Sequence, residues 1–547
     1  MDRETFPPLG LRRAGEPVFV RLSDAVGLDV ALADVDVPFL LHGGDNGHGL
    51  AVPPCSLENL GDPSFRADHG LRYAYAAGAM ANGIGSAAIV EAMGRAGMLA
   101  FFGAAGLAPA RVEQAIGRIQ DWQARMPAQP AGMPAPPYGF NLIHSPNEPD
   151  LEAAVADLYI RHDVRLVEAS AYLDLTLPIV RYRLKGIHAD RSGRIVTPNR
   201  VIAKVSRIEV ATKFLSPPPE ALVRRLVEAG DLTAEQAELA RRVPVAQDLT
   251  AEADSAGHTD NRPLVALLPT LLALRDRLQE QQPYDVPLRV GAAGGISTPW
   301  SAAAAFAMGA AYIVTGSVNQ ACVESGSSDE VRRMLTEAEQ ADTIMAPAAD
   351  MFEMGVKVQV LKRGTMFAMR AAKLFEIYRA RESLEAIPPA ERALLEKTVF
   401  RAGIDEVWRQ TEEFFRQRDP SQLERAARDP KHRMALVFRW YLGQSSRWAN
   451  AGVADRKIDY QVWCGPAMGA FNEWVRGSFL EKPAERKVVT VALNILHGAA
   501  VQLRATGLRC QGVALPAGVP SLRPQRQESG VRSQESEVRS QEVAVCG

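Results

Sequence analysis

From Leu71 onward the chain alternates two hydrophobic patterns. Short, nearly continuous apolar runs such as Val201-Ile202-Ala203-Lys204-Val205 and Ala311-Tyr312-Ile313-Val314 suit strands buried on both faces. Between them lie longer stretches whose apolar positions recur at helical spacing. This pattern predicts strands over 72–80, 98–103, 138–143, 165–169, 201–206, 245–253, 288–292 and 311–314. It predicts intervening helices over 86–96, 109–123, 150–161, 177–184, 219–229, 233–242, 264–280 and 300–308. Strand–helix alternation of this length makes a closed parallel (β/α)8 barrel, a TIM barrel of the α/β class, the natural architecture.

The flanks read differently. Residues 1–70, rich in Pro, Gly, Asp and His, suggest an N-terminal extension or a lid. After Gly316 the signals are helical. Residues 71–380 are assigned to the barrel, with 351–380 continuing its core or docking against it. Residues 381–485 are assigned to an inserted helical domain, and 486–515 to a helix returning to the barrel. Residues 516–547, polar and nearly repetitive, are expected to be a disordered tail.

Composition narrows the classes. With 47% hydrophobic residues over 547 positions there is ample core, and a net charge of −2 implies no general affinity for nucleic acid or an anionic membrane. The five cysteines form no CxxC pair, which fits a reducing cytoplasm and gives no zinc signature. The first residues lack an apolar signal core, and no run of about 18 apolar residues suggests a membrane span. His42–Gly49 places two histidines in a glycine loop, read as a solvated loop or a metal site.

Chemistry in a barrel gathers at the C-terminal strand ends. The densest signal is Leu288–Ser317, where two strands one helix apart end in Gly294-Gly295 and in Gly316-Ser317. Glycines let backbone N–H groups approach an anion, so these turns read as a phosphate cradle. At the first strand end, Ala77, Gly78 and Met80 suit a flat aromatic ring system. Asn141 ends the third strand and could hydrogen-bond a ring edge. Lys204 sits within an apolar strand, where an ammonium needs an anionic ligand or an ion pair with Glu168 or Glu252. His258 follows Gly257 at the sixth strand end, as a general acid/base or a satisfied loop histidine. No dinucleotide-binding GxGxxG in the required setting, P-loop or nucleophile elbow occurs.

These residues resemble the flavin-dependent barrels of the nitronate monooxygenase (2-nitropropane dioxygenase) and flavin enoyl reductase superfamily, and within it the PfaD family of polyunsaturated fatty acid and polyketide biosynthesis. The motifs are RYAYAAGAMANGIGSAAIVEAMGRAGMLAFFGAAG at 72–106, EADSAGHTDNRP at 252–263, GAAGGI at 291–296 and the turn at 309–317. The resemblance implies bound FMN, with Gly294, Gly295, Gly316 and Ser317 on its phosphate. Ala77, Gly78 and Met80 would lie against its ring system, Asn141 and Lys204 at the ring or ribityl chain, and His258 at the catalytic histidine position. It implies NADPH or NADH as electron donor and an acyl carrier protein or polyketide/fatty acid synthase as partner, with a homo-oligomer left open. A nitronate monooxygenase using O2 and a non-catalytic docking component of a synthase remain rival readings. The chain departs from the pattern at Ala79, where proline is usual, at Ser317, where threonine is frequent, and at Asp260, where glycine is usual.

Overall fold

The computed structural model describes residues 18–42, 49–126, 135–144, 146, 148–257, 259–282 and 284–526. Eight parallel strands close into a barrel: Tyr75–Ala77, Leu99–Phe102, Gly139–Ile143, Leu166–Ser170, Arg200–Val205, Asp248–Glu252, Arg289–Ala293 and Ile313–Thr315. Each pairs with the next in sequence, and the last pairs with the first. All eight fall within the expected apolar runs to within two residues. Pro109 and Pro299 open the helices Pro109–Ala124 and Pro299–Ala307, where a missing N–H costs nothing.

The barrel interior is a packed core at its N-terminal end, and the extension closes that end. In the short helix Pro63–His69, Phe65 stacks on Tyr312, just before the eighth strand, with ring centroids 4.1 Å apart. Beside it, Asp248 accepts from Arg289 Nε at 2.6 Å and lies 2.8 Å from His69 Nε2. Arg289 also donates to Asp68 at 2.6 Å. Burial alone would raise the Asp248 carboxyl, but the His69 hydrogen bond and the Arg289 charge overcome it and hold it well below the usual carboxylate range. Its contribution is therefore present above the unfolded-state value of about 3.9 and is lost as pH falls toward the folded value. Asp248→Asn leaves Arg289 and His69 buried without their main anion. It is expected to destabilise the protein by about 3–5 kcal/mol in chemical denaturation near neutral pH, with the difference from wild type shrinking in acid.

The described part of residues 1–70 is thus not a lid over the barrel mouth. Its three-stranded sheet (Val18–Arg21, Phe39–His42, Gly49–Val52) carries the helix Ala25–Ala33, which packs against the C-terminal helix Val488–Cys510. Arg504 of that helix donates to the carbonyls of Ala31, Asp34 and Val37. Most of the histidine–glycine loop lies outside the described residues. Val488–Cys510 also packs along the barrel helix Pro299–Ala307. It is long and apolar enough to cross a membrane by composition, yet two thirds of its apolar window is buried within the protein.

Two further differences from the sequence reading concern the C-terminal half. Residues 351–380 include a strand, Lys357–Leu361, paired antiparallel with Thr343–Pro347, before the helix Phe367–Ala380. Residues 516–526, assigned by composition to the tail, lie against the body. Trp474 Nε1 donates to the Leu522 carbonyl at 2.6 Å, the Gln525 amide donates to Asn494 Oδ1 at 2.7 Å, and Val519 and Leu522 are buried. Two apolar anchors are enough to hold a segment whose overall composition is polar. The rest of the expected tail, 527–547, lies outside the described residues.

The helical insert comprises Pro389–Leu395, Ile404–Arg418, Ser421–Ala426 and Pro430–Ala451. With the hairpin and Phe367–Ala380 it builds a second apolar core around Phe352, Phe367, Phe400, Phe438 and Tyr441. Buried Asp459 anchors this unit, accepting from the Tyr441 hydroxyl at 2.9 Å and from Arg456 at 3.2 Å.

Candidate active site

A cavity of about 650 Å³ opens at the C-terminal ends of the barrel strands. That size lies within the range of about 300–1,000 Å³ usual for small-molecule and cofactor sites. Barrel loops form its floor and one side; the helical insert, the hairpin region around 348–358 and residues 461–467 form the rest.

The glycine turns lie where the spacing placed them. Gly294 and Gly295 both adopt positive φ, +87° and +72°, as the turn out of the seventh strand. A Cβ at Gly294 would stand 2.6 Å from the Ala253 backbone, so the turn lies directly on the sixth strand's exit. At Gly295 and Gly316 no described atom comes within 4 Å of the Cβ position, and both line the cavity. A capping box at Thr298 and Ser301 occupies the Thr298 and Ser301 amides, and Ser301 Oγ also accepts from the Ser297 amide. Anion contacts in this corner therefore fall to the turns. Ser317 lines the cavity, and its Oγ accepts from the Gly465 amide at 3.3 Å.

The floor carries a charged trio. Lys204 Nζ lies 3.0 Å from Glu252 Oε1 and 3.8 Å from Glu168 Oε2. Burial would lower the lysine, but Glu168 and then Glu252 overcome it, so the ammonium stays charged. Glu168 is fully buried beneath the floor, accepts from the Ala79 amide at 3.0 Å, and leaves Oε1 without a hydrogen-bond partner among the described residues. Burial raises its carboxyl above the usual range, more than Lys204 and the Ala79 hydrogen bond lower it. Of the two readings of Lys204, the ion pair is the one seen; its ammonium also lines the cavity.

Asn141 also lines the cavity. Its Nδ2 donates to the Glu168 carbonyl at 3.1 Å and to Ser170 Oγ at 2.8 Å, so its oxygen is the atom left for a ligand's donor. Gly78 and Met80 are in the lining as well. Ala77 is not. Strand alternation turns Ala76 into the barrel interior, among Phe65 and Tyr312, and sends Ala77 outward to the helix layer, so its side chain takes no part in the site.

His258 lies outside the described residues. Its neighbour Gly257 lines the cavity, and the loop beyond is pinned. Asp260 accepts from Arg207 Nε and Nη2 at 2.8 Å each and from Ser206 Oγ at 3.0 Å, and the Arg207 hydrogen bonds lower its carboxyl. Asp254 accepts from Gln359 of the hairpin at 2.6 Å. The aspartate at 260 thus latches this loop to the end of the fifth strand.

The wall contributed by the insert was not foreseen from the sequence. Phe414, Arg418, Arg439, Trp440, Gln444 and Arg447 line the cavity. Contacts that tie the insert to the barrel include Arg418 with Glu148, at 2.6 and 3.0 Å, Asn82 Nδ2 with Ser446 Oγ, at 3.0 Å, and Ser328 Oγ with the Ala449 carbonyl, at 2.6 Å. The available signal was Arg439-Trp440-Tyr441 followed by Arg447-Trp448, a cation–aromatic cluster at helical spacing.

Residues 381–460 match the family model of the inserted helical domain of [acyl-carrier-protein] S-malonyltransferase. The chain is 49% identical over 471 residues to a polyunsaturated fatty acid synthase polypeptide of Thraustochytrium sp., covering 85% of this chain and 31% of that relative. It is 43% identical over 448 residues to polyketide biosynthesis protein PksE of Bacillus subtilis, covering 82% of this chain and 57% of PksE. It therefore spans less than two thirds of these curated relatives. The crystal structure of the enoyl reductase domain of MlnA, from the macrolactin biosynthesis cluster of Bacillus amyloliquefaciens, matches with a TM-score of 0.77 at 43% identity, over 82% of this chain and 99% of that one.

Proposed function

Because this chain belongs to the family that includes the enoyl reductase domain of MlnA, we propose that it is an FMN-dependent enoyl reductase of the PfaD type. It would act in trans, reducing the 2,3-double bond of an enoyl thioester held on a carrier protein of polyketide or polyunsaturated fatty acid synthesis, with NAD(P)H as electron source. The observation that carries the cofactor assignment is the pair of glycine turns at adjoining strand ends. At Gly295 and Gly316 the backbone faces the cavity with no described atom where a side chain would be, as a phosphate cradle requires.

FMN held there supplies hydride chemistry that no side chain provides. The chain's own residues bind, orient and polarise. Lys204, held charged by Glu252 and Glu168, places a fixed positive charge on the cavity floor, where it favours electron-rich groups. The Asn141 oxygen accepts from a ligand N–H. His258, next to the cavity-lining Gly257, is assigned the proton donated to the α-carbon of the thioester. The insert wall excludes water from one side of the cleft.

Purified protein given NADPH and a 2-enoyl thioester should oxidise NADPH with stoichiometric formation of the saturated thioester. Oxygen uptake with a nitronate, and no turnover of the thioester, would assign nitronate oxidation instead. A colourless protein inert in both assays would leave the docking-component reading.

A further inference from the structure

Three arginines of the insert line the cavity: Arg418, Arg439 and Arg447. Two have carboxylate partners. Arg418 is bidentate on Glu148, and Arg439 lies 3.3 Å from Glu353. Arg447 has no carboxylate partner among the described residues; its neighbours are the Phe414 ring, 5.2 Å from its guanidinium carbon, and the charge of Arg418. Phe414 contacts both cations, with Arg418 at 5.4 Å from the same ring, and so holds Arg447 by a cation–π contact. Burial, then the Arg418 charge, push the Arg447 guanidinium down from its ordinary range, yet the side chain is solvent-accessible. Both hold because protein surrounds it while it faces the cavity. Gln444 stands one helical turn earlier on the same face, lines the same wall and offers an amide donor.

Arg447 thus lines the cavity with a guanidinium whose donors no described carboxylate takes up, so an anion entering the cleft finds them available. A guanidinium presents a planar fork of donors that matches phosphate oxygens. We propose that Arg447, assisted by Gln444, binds a phosphate group on a molecule entering this cavity. The phosphate belongs to the phosphodiester of a carrier protein's pantetheine arm or to a nicotinamide dinucleotide. This is a second anion site, on the opposite component of the cavity from the glycine turns, and it rests on the reading that thioester and dinucleotide both enter here.

The test is binding to the flavin-loaded full chain, wild type and Arg447→Gln, followed by fluorescence titration. One pair of probes is 4′-phosphopantetheine and pantetheine; the other is NADPH and reduced nicotinamide riboside, which lacks phosphate. Wild type is expected to prefer the phosphorylated member of one pair by about 10–100-fold, the usual worth of a charge-assisted contact. Arg447→Gln should lose that preference and bind the phosphate-free member as wild type does. The pair that changes identifies the source. Should Arg447→Gln load no flavin, Arg447→Lys, which keeps the charge without the fork, should lose part of the preference. The proposal is overturned if wild type prefers neither phosphorylated probe, or if the variant weakens both members of a pair equally. Turnover of an enoyl thioester, measured alongside on wild type, separates the two ideas: its absence removes the reductase reading while a phosphate preference at Arg447 still stands.

Discussion

Gly295→Val should purify without its yellow colour. A valine side chain there projects into the cavity, where no described atom now lies within 4 Å of the Cβ position, and it occupies the phosphate's approach. The backbone adds to the effect: at φ +72° a β-branched residue is strained by about 1–2 kcal/mol, so the turn shifts as well. Losing two or more charge-assisted hydrogen bonds to a phosphate corresponds to about 10²–10⁴-fold in affinity. Flavin absorbance per polypeptide should fall to near zero, while the circular dichroism spectrum keeps its barrel signature. A folded Gly295→Val protein carrying a full complement of flavin would refute the phosphate assignment.

His258→Ala is expected to give the second large effect, and on a different step. Reducing an enoyl thioester places hydride on the β-carbon and builds negative charge on the α-carbon and thioester oxygen. A positioned general acid is typically worth about 10²–10⁴-fold there. The variant should keep its flavin and be reduced by NAD(P)H at the wild-type rate, because the glycine turns and Lys204 are untouched. Its re-oxidation by enoyl thioester should slow by about that general-acid factor. Stopped-flow absorbance separates the two half-reactions. Equal re-oxidation rates in variant and wild type would pass the role to Lys204, whose ammonium already lines the floor.

What the sequence disclosed, and what it concealed, follows from the range of each interaction. The barrel strands are legible because each is buried on both faces and so reads as an apolar run without help from distant residues. Lys204 is legible for the same reason: a charge inside such a run needs partners, and two carboxylates at neighbouring strand ends supply them. The Gly294–Gly295 turn is legible because positive φ leaves a mark in residue type. Ala77 was misassigned by one step of strand alternation, a boundary that an unbroken apolar run does not mark. Phe65 gave no sign that it plugs the barrel, since its partner Tyr312 lies far along the chain. The insert is the largest gap. Its helices are evident in the sequence, but which face looks into the cavity depends on pairs such as Arg418–Glu148 and Asn82–Ser446, each more than 250 residues apart. Sequence alone marks 381–485 as an inserted helical domain and gives none of its faces to the cavity. The fold gives part of its surface to the active-site wall, so a barrel without the insert would lack that side of its cavity.

The central claim is that this site passes electrons from NAD(P)H to an enoyl thioester through a bound flavin. The direct test is anaerobic. The purified protein is reduced with one equivalent of NADPH until its absorbance near the flavin maximum is bleached, then mixed with a carrier-bound 2-enoyl thioester. Rapid return of the oxidised flavin spectrum, with one equivalent of saturated acyl thioester formed, is the predicted result. A flavin that stays bleached with the enoyl thioester and recovers only when air is admitted would contradict the account.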